Sequence, residues 1–189
     1  MFVLESPAFQ EKSDIPPQYT CDGANVSPPL RWSGTPEGTK SLALIVDDPD
    51  APDPAAPVRT FTHWVAYDLP PTVDSLPAGA SGSTMPDGAH EALNDGGRPG
   101  YMGPCPPKGR HRYVHTLYAL DTVLADLGPR THKADLERAM PGHVLGRATR
   151  VGMYAHGSAA AGPPASRRWR ARASALRVKP QMAKGWIWL

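Results

Sequence analysis

No window of this 189-residue chain approaches the ~20 apolar residues that a membrane-spanning helix requires. The opening residues, MFVLESPAFQ, have neither a basic segment nor the apolar run of about 7–15 residues that marks a secretory leader. A cytoplasmic location is therefore expected. Cysteine is scarce, with only Cys21 and Cys105, which excludes a structural zinc site of the four-cysteine or C-x-x-C type. Without a secretion signal both cysteines read as thiols in a reducing compartment. Catalytic signatures are also missing: there is no G-x-S-x-G elbow, Walker loop or G-x-G-x-x-G, and His90-Glu91 lacks the second histidine of H-E-x-x-H. Many enzyme classes are removed, and no catalytic residue, metal or cofactor is expected.

What the chain has in abundance is proline, 23 residues, with 18 glycines, against a usual proline share of about 5%. Long helices are disfavoured and short strands joined by stiff loops are favoured. The length suits one domain with its own core. The net charge of +2 is unevenly spread. Residues 155–189 hold seven Lys/Arg and no acid, leaving thirteen basic and all 18 acidic side chains in residues 1–154, a net −5. The chain thus divides into a domain, 1–154, and a basic, poorly ordered C-terminal extension, 155–189. Arg with Trp in that extension leaves nucleic-acid or anionic-membrane contact as a minor reading.

Residues 41–47, SLALIVD, form a continuous apolar run of strand length, which predicts a strand buried on both faces. A stiff Asp-Pro-Asp turn follows it. Residues 61–68, FTHWVAYD, alternate so that Phe61, His63, Val65 and Tyr67 share one face. Residues 111–121, HRYVHTLYALD, place His111, Tyr113, His115 and Leu117 on one side of a third strand. Residues 70–110 lack regular patterning, and a stretch of that length predicts a functional loop that walls a pocket. A short helix with Thr131 as N-cap and Leu136, Ala139 and Met140 on one face precedes a last strand over 144–154. The fold class is mainly β: an antiparallel sandwich of two sheets with one or two short helices.

Polar residues collect at the strand ends: Asp48 and Asp50 after the first strand, His63 in the second, His111 and Tyr113 at the start of the third. Singly, each has an ordinary structural role as turn former or satisfied core group. Together, imidazole, phenol and the main chain around Gly103 can donate hydrogen bonds to phosphate oxygens. The carboxylates would orient the histidines and attract the ammonium of a zwitterion.

Six segments occur in one order: YTCDGANVSPPLRW (19–32), SLALIVDDPDAP (41–52), THWVAYDLP (62–70), GYMGPCPPKG (100–109), HRYVHTLYALD (111–121) and GHVL (142–145). Together they resemble the bacterial and archaeal branch of the phosphatidylethanolamine-binding, or Raf kinase inhibitor-like, family, over residues 1–154. The resemblance implies a two-sheet sandwich with an anion pocket lined by Asp48, Asp50, His63, His111 and Tyr113, its rim formed by Gly103, Cys105 and neighbouring prolines. Met102 departs from the small residue common at its position, and His115 from an apolar or aromatic one. The expected function is non-enzymatic binding of a small anion or a phosphoethanolamine-type phospholipid head group. Inhibition of a kinase or protease through protein contacts is the alternative by family analogy, and a homodimer is common among bacterial members. A metal-assisted hydrolase is the minority reading, since two Asp and two His can ligate a divalent ion.

Overall fold

The computed structural model describes residues 1–157. Its strands are β1 (Val3–Glu5), β2 (Leu30–Ser33), β3 (Ser41–Asp48), β4 (Phe61–Leu69), β5 (Ser75–Leu76), β6 (His90–Glu91), β7 (Arg110–Leu120) and β8 (Val144–Ala155). Helix α1 (Lys133–Ala139) precedes β8, and a single 3-10 turn spans Pro17–Tyr19. Two antiparallel sheets result, one of order β1-β2-β5 and one of order β6-β4-β3-β7-β8. Two layers of this kind, with few helical residues, are the predicted sandwich.

β3 lies at the centre because its run of apolar residues needs cover on both sides, as central strands do. On one face Leu42, Leu44 and Val46 join Trp64, Ala66 and Leu117 and meet Leu4, Leu30, Trp32 and Leu76 of the smaller sheet. On the other, Ala43 and Ile45 join Val65 and Tyr67 under Leu136 and Met140 of α1. Each buried Leu, Ile, Val or Met side chain among them contributes roughly 1.5–3 kcal/mol. A third cluster, Phe9, Ile15, Tyr19, Tyr113 and Tyr154, closes the end of the sandwich where β3 stops.

Three local expectations are corrected. The α1 N-cap is His132, not Thr131: His132 has extended backbone, and its N–H donates to Asp135 Oδ2 at 2.8 Å. The Thr131 hydroxyl instead donates to the Gly128 carbonyl at 2.7 Å. The unpatterned stretch 70–110 contains two two-residue strands, β5 and β6, and only its end approaches the pocket described below. The cysteines are not thiols: Cys21 and Cys105 form a disulfide with Cα atoms 5.4 Å apart. The fold makes them neighbours by docking the turn after Tyr19 against residues 103–105, where the Cys21 N–H donates to the Pro104 carbonyl at 3.0 Å. Reducing compartments do not ordinarily keep such a bond, so the expectation of two thiols is overturned. Among the described residues no helix is long and apolar enough to cross a membrane. The expectations for the basic extension lie outside the described residues, except for Ala155, His156 and Gly157.

Candidate functional site

Asp48 ends β3, His63 lies near the start of β4 and His111 near the start of β7, so antiparallel pairing brings all three to one end of the sheet. A register irregularity refines this. Val46 pairs with Trp64, but Asp47 pairs with Thr62, so β4 carries one extra residue, His63. Such a bulge turns a strand's remaining side chains about its axis. The predicted common face of Phe61, His63, Val65 and Tyr67 is therefore split. Val65 and Tyr67 pack under α1, whereas Phe61 and His63 line a cavity with Asp48 and His111.

That cavity has a volume of about 410 Å³, within the range of small-molecule sites. Its two walls are loops. Ala51, Pro52, Val58 and Arg59 come from the β3–β4 connection, which is fastened by the Val58 and Arg59 N–H groups donating to the Ala51 carbonyl at 2.9 and 3.2 Å. Met102, Gly103, Cys105, Pro106 and Pro107 form the other wall. Gly103 is required there: a Cβ would come within 2.3 Å of Asn25 Oδ1, which accepts its N–H at 2.8 Å. That N–H is therefore already committed, contrary to its expected role as a free donor.

The floor is a buried ion-pair motif. Asp48 Oδ2 accepts from His111 Nδ1 at 2.7 Å, and Asp48 Oδ1 accepts the Asp50 N–H at 2.8 Å. His111 Nε2 donates to the Lys108 carbonyl at 2.9 Å. The ring is thus held from both sides, by a carboxylate at Nδ1 and a main-chain carbonyl at Nε2. His63 differs. Its Nδ1 donates to the Met102 carbonyl at 2.6 Å, and Nε2 has no hydrogen-bond partner among the described residues. Burial pushes the His63 pKa below its ordinary value of 6.5, only partly opposed by the Met102 bond and the Asp48 charge. The ring is then neutral, with an acceptor lone pair on Nε2.

Two of the residues singled out from the sequence stand beside the cavity rather than on its lining. Asp50 is held by Arg112: its carboxylate accepts from the guanidinium at 2.6, 3.0 and 3.2 Å and from the Arg112 N–H at 2.8 Å. That clamp, chiefly the side-chain bonds, lowers its pKa. Tyr113 sits behind His63, ring centroids 5.1 Å apart and edge to face, with its buried hydroxyl unpartnered and its pKa raised by desolvation. His115 is buried one pleat deeper, and desolvation takes its pKa down to about 4.

Arg59 is the residue that sequence reasoning missed. Its guanidinium lies 4.9 Å from the Phe61 ring centroid at the cavity mouth, with no carboxylate partner among the described residues. The proline-rich run around it showed a stiff loop, but not which way an exposed side chain on that loop leans. The arrangement offers a cation at the mouth, an imidazole able to accept a proton deeper in, and apolar walls from Val58, Phe61 and three prolines.

Residues 5–155 match the family model described as phosphatidylethanolamine-binding protein. A UPF0098 protein of Methanothermobacter thermautotrophicus is 50% identical over 155 residues, 82% of this chain and 99% of the relative. The crystal structure of a Chlamydia trachomatis homolog of phosphatidylethanolamine-binding protein shares 40% identity and a TM-score of 0.74, covering 82% of this chain and 97% of that one. Escherichia coli YbcL, described as a member of the mammalian PEBP family, shares 33% identity and the same TM-score over 81% and 97% of the two chains.

Proposed function

This chain belongs to the phosphatidylethanolamine-binding protein family, and from that premise we propose that its cavity binds a small phosphate-bearing anion or zwitterionic head group without converting it. The observation that carries this reading is the pairing of Arg59 at the mouth with Nε2 of His63 further in, neither of which has a carboxylate or carbonyl partner among the described residues. A guanidinium is suited to phosphate oxygens, and a phosphomonoester titrates near pH 6, so it can share a proton with a neutral imidazole. Asp48 nearby favours the ammonium of a zwitterion over a polyanion.

Binding is favoured over metal-assisted hydrolysis because both carboxylates are already committed, Asp48 to His111 and Asp50 to Arg112. The one lining cysteine, Cys105, is held in the disulfide, leaving it unsuited as a nucleophile.

Isothermal calorimetry with inorganic phosphate and phosphoethanolamine tests the reading. Arg59→Ala is expected to weaken phosphate binding about 10- to 150-fold, the loss of one charge-assisted hydrogen bond. Because Arg59 is exposed, the fold should be untouched. Affinity unchanged in both Arg59→Ala and His63→Ala would sink the assignment.

A further inference from the structure

Beside the cavity, three metal-ligating side chains converge from distant parts of the chain. Cys21 follows the Pro17–Tyr19 turn, Cys105 lies in the cavity wall and His156 follows β8, and their ligand atoms all lie within 4.8 Å of one another. All three are exposed. We propose that, once the disulfide is reduced, Cys21, Cys105 and His156 bind one zinc ion, so that the same two loops are tied by metal in the reduced protein and by sulfur in the oxidised one.

One further distance supports the site. Cys21 Sγ and His156 Nδ1 are 3.6 Å apart. A tetrahedral zinc with Zn–S of about 2.3 Å and Zn–N of about 2.0–2.1 Å sets that edge at roughly 3.5 Å. The Cys21–His156 edge is thus already at its ligated length, Cys105 Sγ lies within 4.8 Å of the imidazole ligand atom, and the two sulfurs must separate to about 3.8 Å by the same geometry.

The histidine is also held in position. Asp22 Oδ1 lies 2.9 Å from His156 Nδ1, while Asp22 Oδ2 accepts the Tyr154 hydroxyl and, at 3.1 Å, the Gly157 N–H. Asp22 thus holds the same Nδ1 that lies beside Cys21, so zinc binding requires that nitrogen to exchange its carboxylate partner for the metal. The fourth position is open to solvent and suits water.

The chemistry balances as follows. A dithiol reductant transfers two electrons and two protons to the Cys21–Cys105 bond and is itself oxidised to a disulfide. Zinc then displaces the two thiol protons, which leave to solvent. Because Cys105 lies on the cavity wall, zinc would keep that wall fastened where sulfur no longer does.

The test uses untagged full-length protein. After anaerobic reduction, competition against a chromophoric chelator should give one zinc per chain, and the oxidised protein should give none. Cobalt substituted for zinc should show the near-ultraviolet sulfur-to-metal charge-transfer band that thiolate ligation produces. His156→Ala should weaken zinc binding at least tenfold, whereas Asp22→Asn, which removes a competitor for Nδ1, should not weaken it. Absence of the thiolate band in the reduced wild-type protein would overturn the proposal without recourse to any variant. So would equal zinc uptake by oxidised and reduced protein, which would place the ion elsewhere, for instance at Asp48 and His111.

Discussion

At His63 the cavity's response to pH is set by burial. The free protein keeps this ring neutral because its pKa is pushed below 6.5, and Nε2 faces the cavity as an acceptor. A phosphate dianion brought against that lone pair repels it unless a proton is taken up, so binding and protonation are linked. Phosphate affinity is therefore expected to rise as pH falls from 8 to 6. Calorimetry in two buffers of different ionisation enthalpy should read an uptake approaching one proton, and His63→Gln should abolish it. Affinity that is flat across this range would remove His63 from the site. Asp50 makes the opposite prediction. Its bonds to Arg112 fasten the turn rather than face the cavity, so Asp50→Asn should cost about 1–2 kcal/mol in urea denaturation while leaving phosphate affinity within about twofold. Asp48, His63 and His111 were legible in the sequence because strand ends are legible. Asp50 and Tyr113 were legible as neighbours, but the partners that turn Asp50 aside and the depth that hides Tyr113 depend on packing. Arg59 was not legible at all, since exposed loop side chains have no periodicity to follow.

Among the elements, β7 shows how far alternation carries. The predicted side of His111, Tyr113, His115 and Leu117 is the buried one throughout. On β4 the same rule failed at one step, because the extra residue at His63 is a property of pairing with β3 and not of FTHWV itself. Without that bulge His63 would point under α1, away from Asp48. The cap of α1 failed for a similar reason: Thr131 is the better N-cap by type, but the backbone turns extended only at His132. The depth of β7 has a measurable consequence at His115, which lies 5.5 Å from Phe9 with Nε2 unpartnered. At pH 7 it is neutral in both folded and unfolded chains and contributes nothing to the pH dependence. As pH falls through 6.5 the unfolded chain takes up a proton that the folded one refuses until about pH 4. Stability is thus lost across that window, by at most about 3 kcal/mol from this group. His115→Leu should flatten that part of the stability curve, measured by urea denaturation at pH 7 and pH 4.5. An unchanged difference between the two pH values would show that His115 is not the source.

Over the whole molecule, the sandwich and its two-sided core followed from short-range patterns, but the joining of distant segments did not. Cys21 and Cys105 are separated by 84 residues, and His156 by 51 more, so no spacing motif signals that they meet. Their meeting depends on both sheets being formed and on residues 103–105 docking against the turn after Tyr19. A bond closing so long a loop restricts the unfolded chain strongly, with a typical gain of about 2–4 kcal/mol. Cys21→Ser/Cys105→Ser is therefore expected to unfold at lower urea by about that amount relative to the oxidised protein. It should still bind phosphate, since Arg59, His63, Asp48 and His111 are held by bonds other than the disulfide. The reduced wild-type protein separates the two roles of the cysteines. Without metal its stability should match the serine variant, and with zinc in excess of its Kd it should rise by RT ln(1 + [Zn]/Kd), about 2.7 kcal/mol at a hundredfold excess. The serine variant should show no such rise. A zinc-dependent gain in both would locate the ion away from the cysteines, whereas a gain in the reduced wild type alone would make the wall of the cavity a redox-exchangeable metal staple.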